Sequence, residues 1–237
     1  MKRLQFKWEL FSFKKTVKWL ASIVLFMALI DAAYLATIWP NWEELASGTI
    51  PESSFIKSYR FQLEQNPDLP PLRWTPVSYG QIPRLMRRTV VVAEDARFYS
   101  HNGIDLQAIK DVMAYNWSQR KFLFGGSTIS QQTVKNLFLS ASRNPLRKWH
   151  EVVLTLAMER QLKKSTIINL YLNVAEFGTG LYGVEAAARH YWQKPAAWLT
   201  QKQAIELAAS LPAPKHHNPQ SRTIFFSNKV SKISKYF

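Results

Sequence analysis

Cysteine is missing from all 237 residues, which rules out a disulfide framework and any thiolate-bound zinc. The chain is thereby compatible with an oxidising compartment without being tied to one. His150-Glu151 opens like a zinc-protease motif, but Leu154 stands where the second histidine is needed, so a metalloprotease is excluded on this motif. No Gly-Lys-Ser/Thr completes a nucleotide-binding P-loop. No Lys-Thr-Gly completes a penicillin-binding transpeptidase site either, so Ser54 to Lys57 and Ser118 to Lys121 are chance Ser-x-x-Lys matches. There is no internal repeat, and the core region has no convincing alternating run of the kind that a half-buried strand needs. Acidic side chains are scarce, 16 against 31 Lys and Arg, for a formal charge of +15. That surplus suits an anionic partner, whether nucleic acid, lipid head groups or diphosphates.

The placement of charge narrows the choice. Residues 1–18 hold six basic side chains against the single Glu9, and the next basic residue after Lys18 is Lys57. Between them, Trp19 to Trp39 is an apolar run of 21 residues whose one charge is Asp31. As a helix it would cross a bilayer core of roughly 30 Å. Tryptophan favours both interfaces, and the basic flank places the N-terminus in the cytoplasm and the bulk of the chain outside. The run is longer than the apolar part of a signal peptide and no Ala-x-Ala site follows it. Asp31 either reaches water at the outer face or marks a helix partner. Residues 40–237 retain 25 basic against 14 acidic residues, so the external part is basic in its own right. With no groove-reading or base-stacking motif and a domain facing away from the cytoplasm, nucleic acid is not expected as a partner.

The domain plan is a basic N-terminus (1–18), a transmembrane helix (19–39), an irregular, proline-punctuated connector and membrane-proximal segment (40–80), a mainly α domain (81–219) and a C-terminal tail (220–237). Ile82, Leu85, Met86, Val90 and Ala93 share a helical face, and that helix ends at Glu94. A second helix is predicted from Asp105 to Trp117 with Ile109, Val112, Met113 and Trp117 on one side. Thr128 and Gln131 have capping-box spacing for a helix to about Phe138. Asn144-Pro145 opens a long helix to about Leu162 whose expected core face is Trp149, Val152, Val153, Leu156 and Ala157. Ser165 is the expected cap of a helix to Asn173. A helix from Val184 to Trp192 then precedes one capped by Thr200 with Gln203.

Two runs carry the chemistry. Glu94 closes an apolar Val90-Val91-Val92-Ala93 stretch and is a candidate general base, against the plainer reading of a solvated helix end. Asp95 is expected to bond locally, and His101 serves equally well as a turn residue. Gly125-Gly126-Ser127-Thr128 precedes a helix start, where free N–H groups and the helix dipole favour an anion. On that helix Gln132, Lys135 and Asn136 share a face of two amides and a cation. Arg147 and Glu151 are an i, i+4 pair flanked by apolar residues that favour burial of the carboxylate.

These blocks occur in the order of the glycosyltransferase domain of the peptidoglycan polymerases, glycosyltransferase family 51. Glu94-Asp95 with Phe98, His101 and Gly103 is followed by Gly126-Ser127-Thr128-Ile129, Gln131-Gln132 and Lys135-Asn136, then by Arg147-Lys148 and Glu151. Tyr171-Leu172-Asn173 with Gly178, Gly180, Tyr182-Gly183 and Glu185-Ala186-Ala187 comes next, and Leu211-Pro212-Ala213-Pro214 with Asn218-Pro219 closes the series. The chain's length resembles that of the family's single-activity members. The resemblance implies a mainly α, lysozyme-like fold. It also implies polymerisation of lipid II into glycan, with inversion at the anomeric carbon and release of undecaprenyl diphosphate.

In that scheme Glu94 takes the proton of the acceptor's GlcNAc 4-hydroxyl. Ser127, Gln132, Lys135, Asn136 and Arg143 line the donor's diphosphate and sugar, and Glu151 with Arg147 supports the leaving group or a divalent cation, Mg or Mn. No organic cofactor is implied. Expected partners are lipid II, the growing lipid-linked glycan, the membrane, and other cell-wall synthases or division proteins. The expected location is the bacterial inner membrane with a periplasmic domain. Phe55, Ile56, Tyr59 and Phe61, with Lys57 and Arg60, are expected to touch the bilayer. Ser130 replaces a more usual threonine, and Asn169 stands where a glutamate is common, leaving that position's role open. A glycan-cleaving muramidase and a non-catalytic scaffold that binds wall precursor are the competing readings.

Overall fold

The computed structural model describes residues 2–119, 126–142 and 144–237. It divides into two units, residues 1–40 and 41–237. The first is a single helix, α1 (Lys2–Thr37), of which Lys14–Thr37 has a mean hydropathy of 2.0 and is long and apolar enough to cross a membrane.

The second unit is mainly helical, and its helices begin where local chemistry starts them. Asn41 and Ser53 cap α2 (Trp42–Ala46) and α3 (Ser54–Gln65), and α4 (Arg84–Glu94) follows Pro83. After α5 (Leu106–Gln119), the expected capping box forms in full: Thr128 accepts from Gln131 N while the Gln131 side chain accepts from Thr128 N, opening α6 (Ile129–Phe138). Asn144 caps α7 (Pro145–Gln161) with proline in the first turn, where no N–H is needed. α8 (Lys164–Val174) and α9 (Val184–Trp192) precede α10 (Gln201–Ser210), which repeats the box with Thr200 and Gln203. A last helix, α11 (Ile224–Ser234), lies within the segment expected as a tail. The core is built by α6 packed between α7 and α8, and by α10 against α4 and α11.

The structure corrects the sequence reading in five places. The connector is not irregular: α3 buries Ile56 completely and Tyr59 almost so, in a cluster with Tyr182. Ile56 and Tyr59 are therefore core residues, not membrane contacts; of the expected apolar group only Phe61 is largely exposed. On α5, Met113 and Trp117 face outward at 66% and 88% exposure, while Ile109 and Val112 are half-buried. On α7 the buried residues are His150, Glu151, Leu154, Thr155 and Met158, with Trp149 and Leu156 exposed. A helix turns about 100° per residue, so this face is rotated from the expected one by one or two positions. Ser165 is not a cap, because α8 starts one residue before it with Lys163 at the N-cap position.

The fifth correction is a small sheet in the order β1-β3-β2, formed by β1 (Arg73–Trp74), β2 (Glu176–Gly178) and β3 (Leu181–Tyr182). β1 runs parallel to β3, pairing Arg73 with Leu181 and Trp74 with Tyr182. The strands are too short to show alternation in sequence. Gly180 makes the turn at φ +69°, and a Cβ there would sit 2.6 Å from the Tyr59 ring, so the sheet and α3 meet only over glycine.

Candidate active site

Glu94 is the last residue of α4, and its side chain is 11% exposed. The two motif runs are fastened around it by hydrogen bonds that cross from one run to the other. Asp95, buried, accepts from the backbone N–H of Ile129 at 2.9 Å, tying the first residue of α6 to the end of α4. Thr128 Oγ1 donates to Gly103 O at 2.6 Å. His101 Nδ1 accepts from Gly103 N at 3.1 Å, which leaves Nε2 as the protonated nitrogen that donates to Asp95 at 3.0 Å. His101 is thus a structural link and Asp95 has a long-range partner as well as the expected local one. Gly103 sits at φ +95° with a would-be Cβ 2.8 Å from Thr155 Cγ2, so the loop packs on α7 only because the side chain is absent.

These ties bring α6 under the carboxylate. Gln132 Nε2 donates to Glu94 Oε2 at 3.2 Å, and Tyr171 of α8 donates its hydroxyl to Gln132 Oε1 at 3.0 Å. Burial pushes the Tyr171 phenol well above its usual range, with Glu94 and Asp95 adding to the effect, so it stays an O–H donor. With the Tyr171 hydroxyl donating on one side and the Glu94 carboxylate accepting on the other, the Gln132 amide presents its NH₂ group to the acid. Lys229 of α11 completes the shell, with Nζ 3.0 Å from Glu94 Oε1. A cavity of about 370 Å³ opens beside Glu94, lined in part by Asp95, Ala108, Val112, Ser127 and Thr128.

Glu151 is 2% exposed on the inward face of α7. Arg147 Nη1 bonds its Oε2 at 2.6 Å and Lys148 Nζ bonds its Oε1, while the same ammonium lies 3.3 Å from Ser127 Oγ. Arg147 Nε is buried without an acceptor among the described residues. Lys135 lies on the half-buried face of α6 together with Gln132 and Asn136. Burial pushes its ammonium below the ordinary lysine value; Arg147 and Lys148 push the same way, and Glu151 and Glu94 oppose them. Of the predicted site residues, the structure therefore gathers Glu94 with Gln132, and Glu151 with Arg147 and, through Lys148, Ser127. Arg143 and Gly125 lie outside the described residues. Lys148, Tyr171 and Lys229 join the site beyond the candidate residues. Lys148 was visible beside Arg147, whereas nothing in the sequence links Lys229 to Glu94.

The open position Asn169 is buried and accepts from Asn173, whose amide in turn holds Val77 through both its N–H and its C=O. Its surroundings are structural.

Among the described residues, the donor sets at hand do not favour a resident divalent cation. Asp95, His101 and Asp105 are close enough to share one. Yet Asp95 already serves Ile129 and His101, His101 Nδ1 is used by Gly103, and Arg97 grips both oxygens of Asp105. Both oxygens of Glu151 are likewise occupied by cations. A metal at either place would displace a positive side chain.

The mainly α domain thus sets one clamped carboxylate, Glu94, above a helix face of amides and a cation. Comparison with known proteins supplies the family. Residues 68–236 match the family described as Transglycosylase. Over 167 residues the chain is 45% identical to the biosynthetic peptidoglycan transglycosylase of Methylobacillus flagellatus, covering 70% of this chain and 72% of that one. It is 37% identical over 216 residues to the protein of that name from Bordetella avium, covering 90% and 88%. A third relative with that name, from Laribacter hongkongensis, is 42% identical over 169 residues, 70% of this chain and 74% of the relative. The chain belongs to the transglycosylase family.

Proposed function

We propose that this protein is a single-activity peptidoglycan glycosyltransferase that extends glycan from lipid II at the outer face of the bacterial inner membrane. The observation that carries the reading is the Glu94 carboxylate. Each of its oxygens is held by one donor, Gln132 or Lys229, and a carboxylate has about four lone-pair sites. It can therefore still receive a proton. As the acceptor's 4-hydroxyl oxygen attacks the donor's anomeric carbon, its proton passes to Glu94, and the bond from that carbon to the diphosphate oxygen breaks on the opposite face, inverting the centre. Charge that develops on the departing diphosphate needs positive groups already in place. Lys135, Arg147 and Lys148 supply them, with Asn136 and Ser127 as neutral hydrogen-bonding partners. Because Arg147 and Lys148 occupy both oxygens of Glu151, positive side chains stand there in place of a divalent metal. Arg143 belongs to the same group by family resemblance only.

Feeding the full chain lipid II and, separately, finished glycan tests this reading. Growth of polymer from the precursor is the expected result; shortening of the glycan would favour a muramidase, and inertness toward both would favour a scaffold.

Lys135 gives a second test. Its ammonium loses its proton below the ordinary lysine value of about 10.4. As pH rises through that lowered value, the site loses a positive charge and KM for lipid II should rise. Lys135→Arg keeps its charge and should move the rise to higher pH. An unchanged alkaline limb in the Arg variant would remove Lys135 from the diphosphate site.

The apolar face of α5 is the better candidate for bilayer contact. Leu106, Met113 and Trp117 are exposed along it at 68%, 66% and 88%. The span ends at Thr37, which tethers the domain to the membrane, and a polyprenyl substrate stays in the bilayer. Replacing Met113 and Trp117 with serine should raise KM for lipid II by about tenfold, equivalent to ~1.4 kcal/mol. A water-soluble short-chain analogue should show no change. Equal effects on both substrates would contradict bilayer contact.

A further inference from the structure

The C-terminal helix brings to the carboxylate a residue that lies outside every motif block. Thr223 caps α11 by accepting from Phe226 N, and Phe226 and Ile233 are buried as the helix packs on α10 and α4. From that helix Lys229 reaches across 135 positions of sequence to Glu94 Oε1. The lysine side chain is 23% exposed and the carboxylate 11%, so the pair is shielded from the solvent that weakens surface ion pairs. The helix also docks through these apolar residues, apart from the ion pair.

We propose that Lys229 is a positioning residue for glycosyl transfer. It rests on the reading of Glu94 as the base and makes α11 part of the active site. Gln132 holds one oxygen from below, on α6, and Lys229 holds the other from α11, so the carboxylate plane is fixed by two elements far apart in sequence. A carboxylate held by Gln132 alone can rotate about its terminal bond, which takes the open lone pairs away from the acceptor hydroxyl. Misplacement on the scale of an ångström costs about 100-fold in rate.

The absence of cysteine makes the test specific. Lys229→Cys introduces the chain's one thiol, which 2-bromoethylamine converts to an ammonium side chain of lysine's length and 2-bromoethanol converts to a neutral one of the same length. Polymerisation of lipid II by the full chain is then followed for kcat and KM, with the melting temperature measured alongside. The neutral form should lose about 10-fold to 100-fold in kcat with KM within twofold. The ammonium form should recover at least half the wild-type kcat, and the two forms should melt together. Should the thiol resist alkylation, Lys229→Met and Lys229→Arg give the same comparison.

The proposal fails if the neutral form turns over like wild type, if KM alone changes, or if the loss follows a lowered melting temperature that the ammonium does not restore. Wild-type protein unable to polymerise lipid II would instead overturn the reading of Glu94 beneath it.

Discussion

Glu94→Gln should abolish most of the glycan polymerisation while leaving the fold intact. Removing a positioned general base lowers the rate by about 10²–10⁴-fold. The loss should fall on kcat, because the groups assigned to the diphosphate are untouched. The fold should survive for a local reason. The new amide oxygen can still accept from Lys229. Its NH₂ group would face the Gln132 NH₂ group, but Gln132 can turn its amide over, since the Tyr171 hydroxyl can accept as well as donate. Melting temperatures within about 2 °C of each other correspond to less than ~1 kcal/mol in a domain of this size. A variant that melts normally and polymerises at the wild-type rate would remove the catalytic role.

Asp95→Ala, one residue further on, should behave in the opposite way. Asp95 touches no proposed reacting group but satisfies Ile129 N and His101 Nε2 at once, and it is buried. Truncation orphans two donors, one of them the first N–H of the helix that carries Gln132 and Lys135. Hydrogen bonds to a charged group contribute about 1.5–3 kcal/mol each, so a loss of about 3 kcal/mol is a conservative expectation. For a domain of this size that is roughly a 6–12 °C fall in melting temperature. Activity should fall with it, since α6 is no longer tied to α4. Asp95→Asn keeps one oxygen for both donors and should lose about half as much. Calorimetry of the two neighbouring variants side by side separates the residue for chemistry from the residue for architecture; equal melting of Asp95→Ala and wild type would show that the tie between the runs is not needed.

How much of this was legible in the sequence differs by element, for physical reasons. The helices opened by a hydroxyl cap with glutamine three residues on, Thr128 and Thr200, were placed correctly because a capping box is a local structure written in adjacent residues. The end of α4 at Glu94 was also local. The inward face of α7 was misjudged because hydrophobicity does not sort it: Glu151 is buried by the cations beside it, and the site's polar groups take the place that leucine and valine would hold elsewhere. The same logic applies on α5, where the apolar Trp117 and Met113 face out. α3 was missed because its prolines lie before and after it, and the spacing of Phe55, Ile56, Tyr59 and Leu63 was masked by the irregular segments on either side. The pairing of Arg147 with Glu151 was readable at four-residue spacing. Lys229 was not, since a contact made over 135 residues leaves no local pattern, and neither was the bond from Asp95 to Ile129.

The most direct test of the central claim is to count undecaprenyl diphosphate released from lipid II by the wild-type chain and by Glu94→Gln, alongside the glycosidic linkages in the polymer formed. One diphosphate per linkage from the wild type, with both falling together by at least about 100-fold in the variant, is the predicted result. Equal release by the two proteins, or glycan that shortens without diphosphate release, would contradict it.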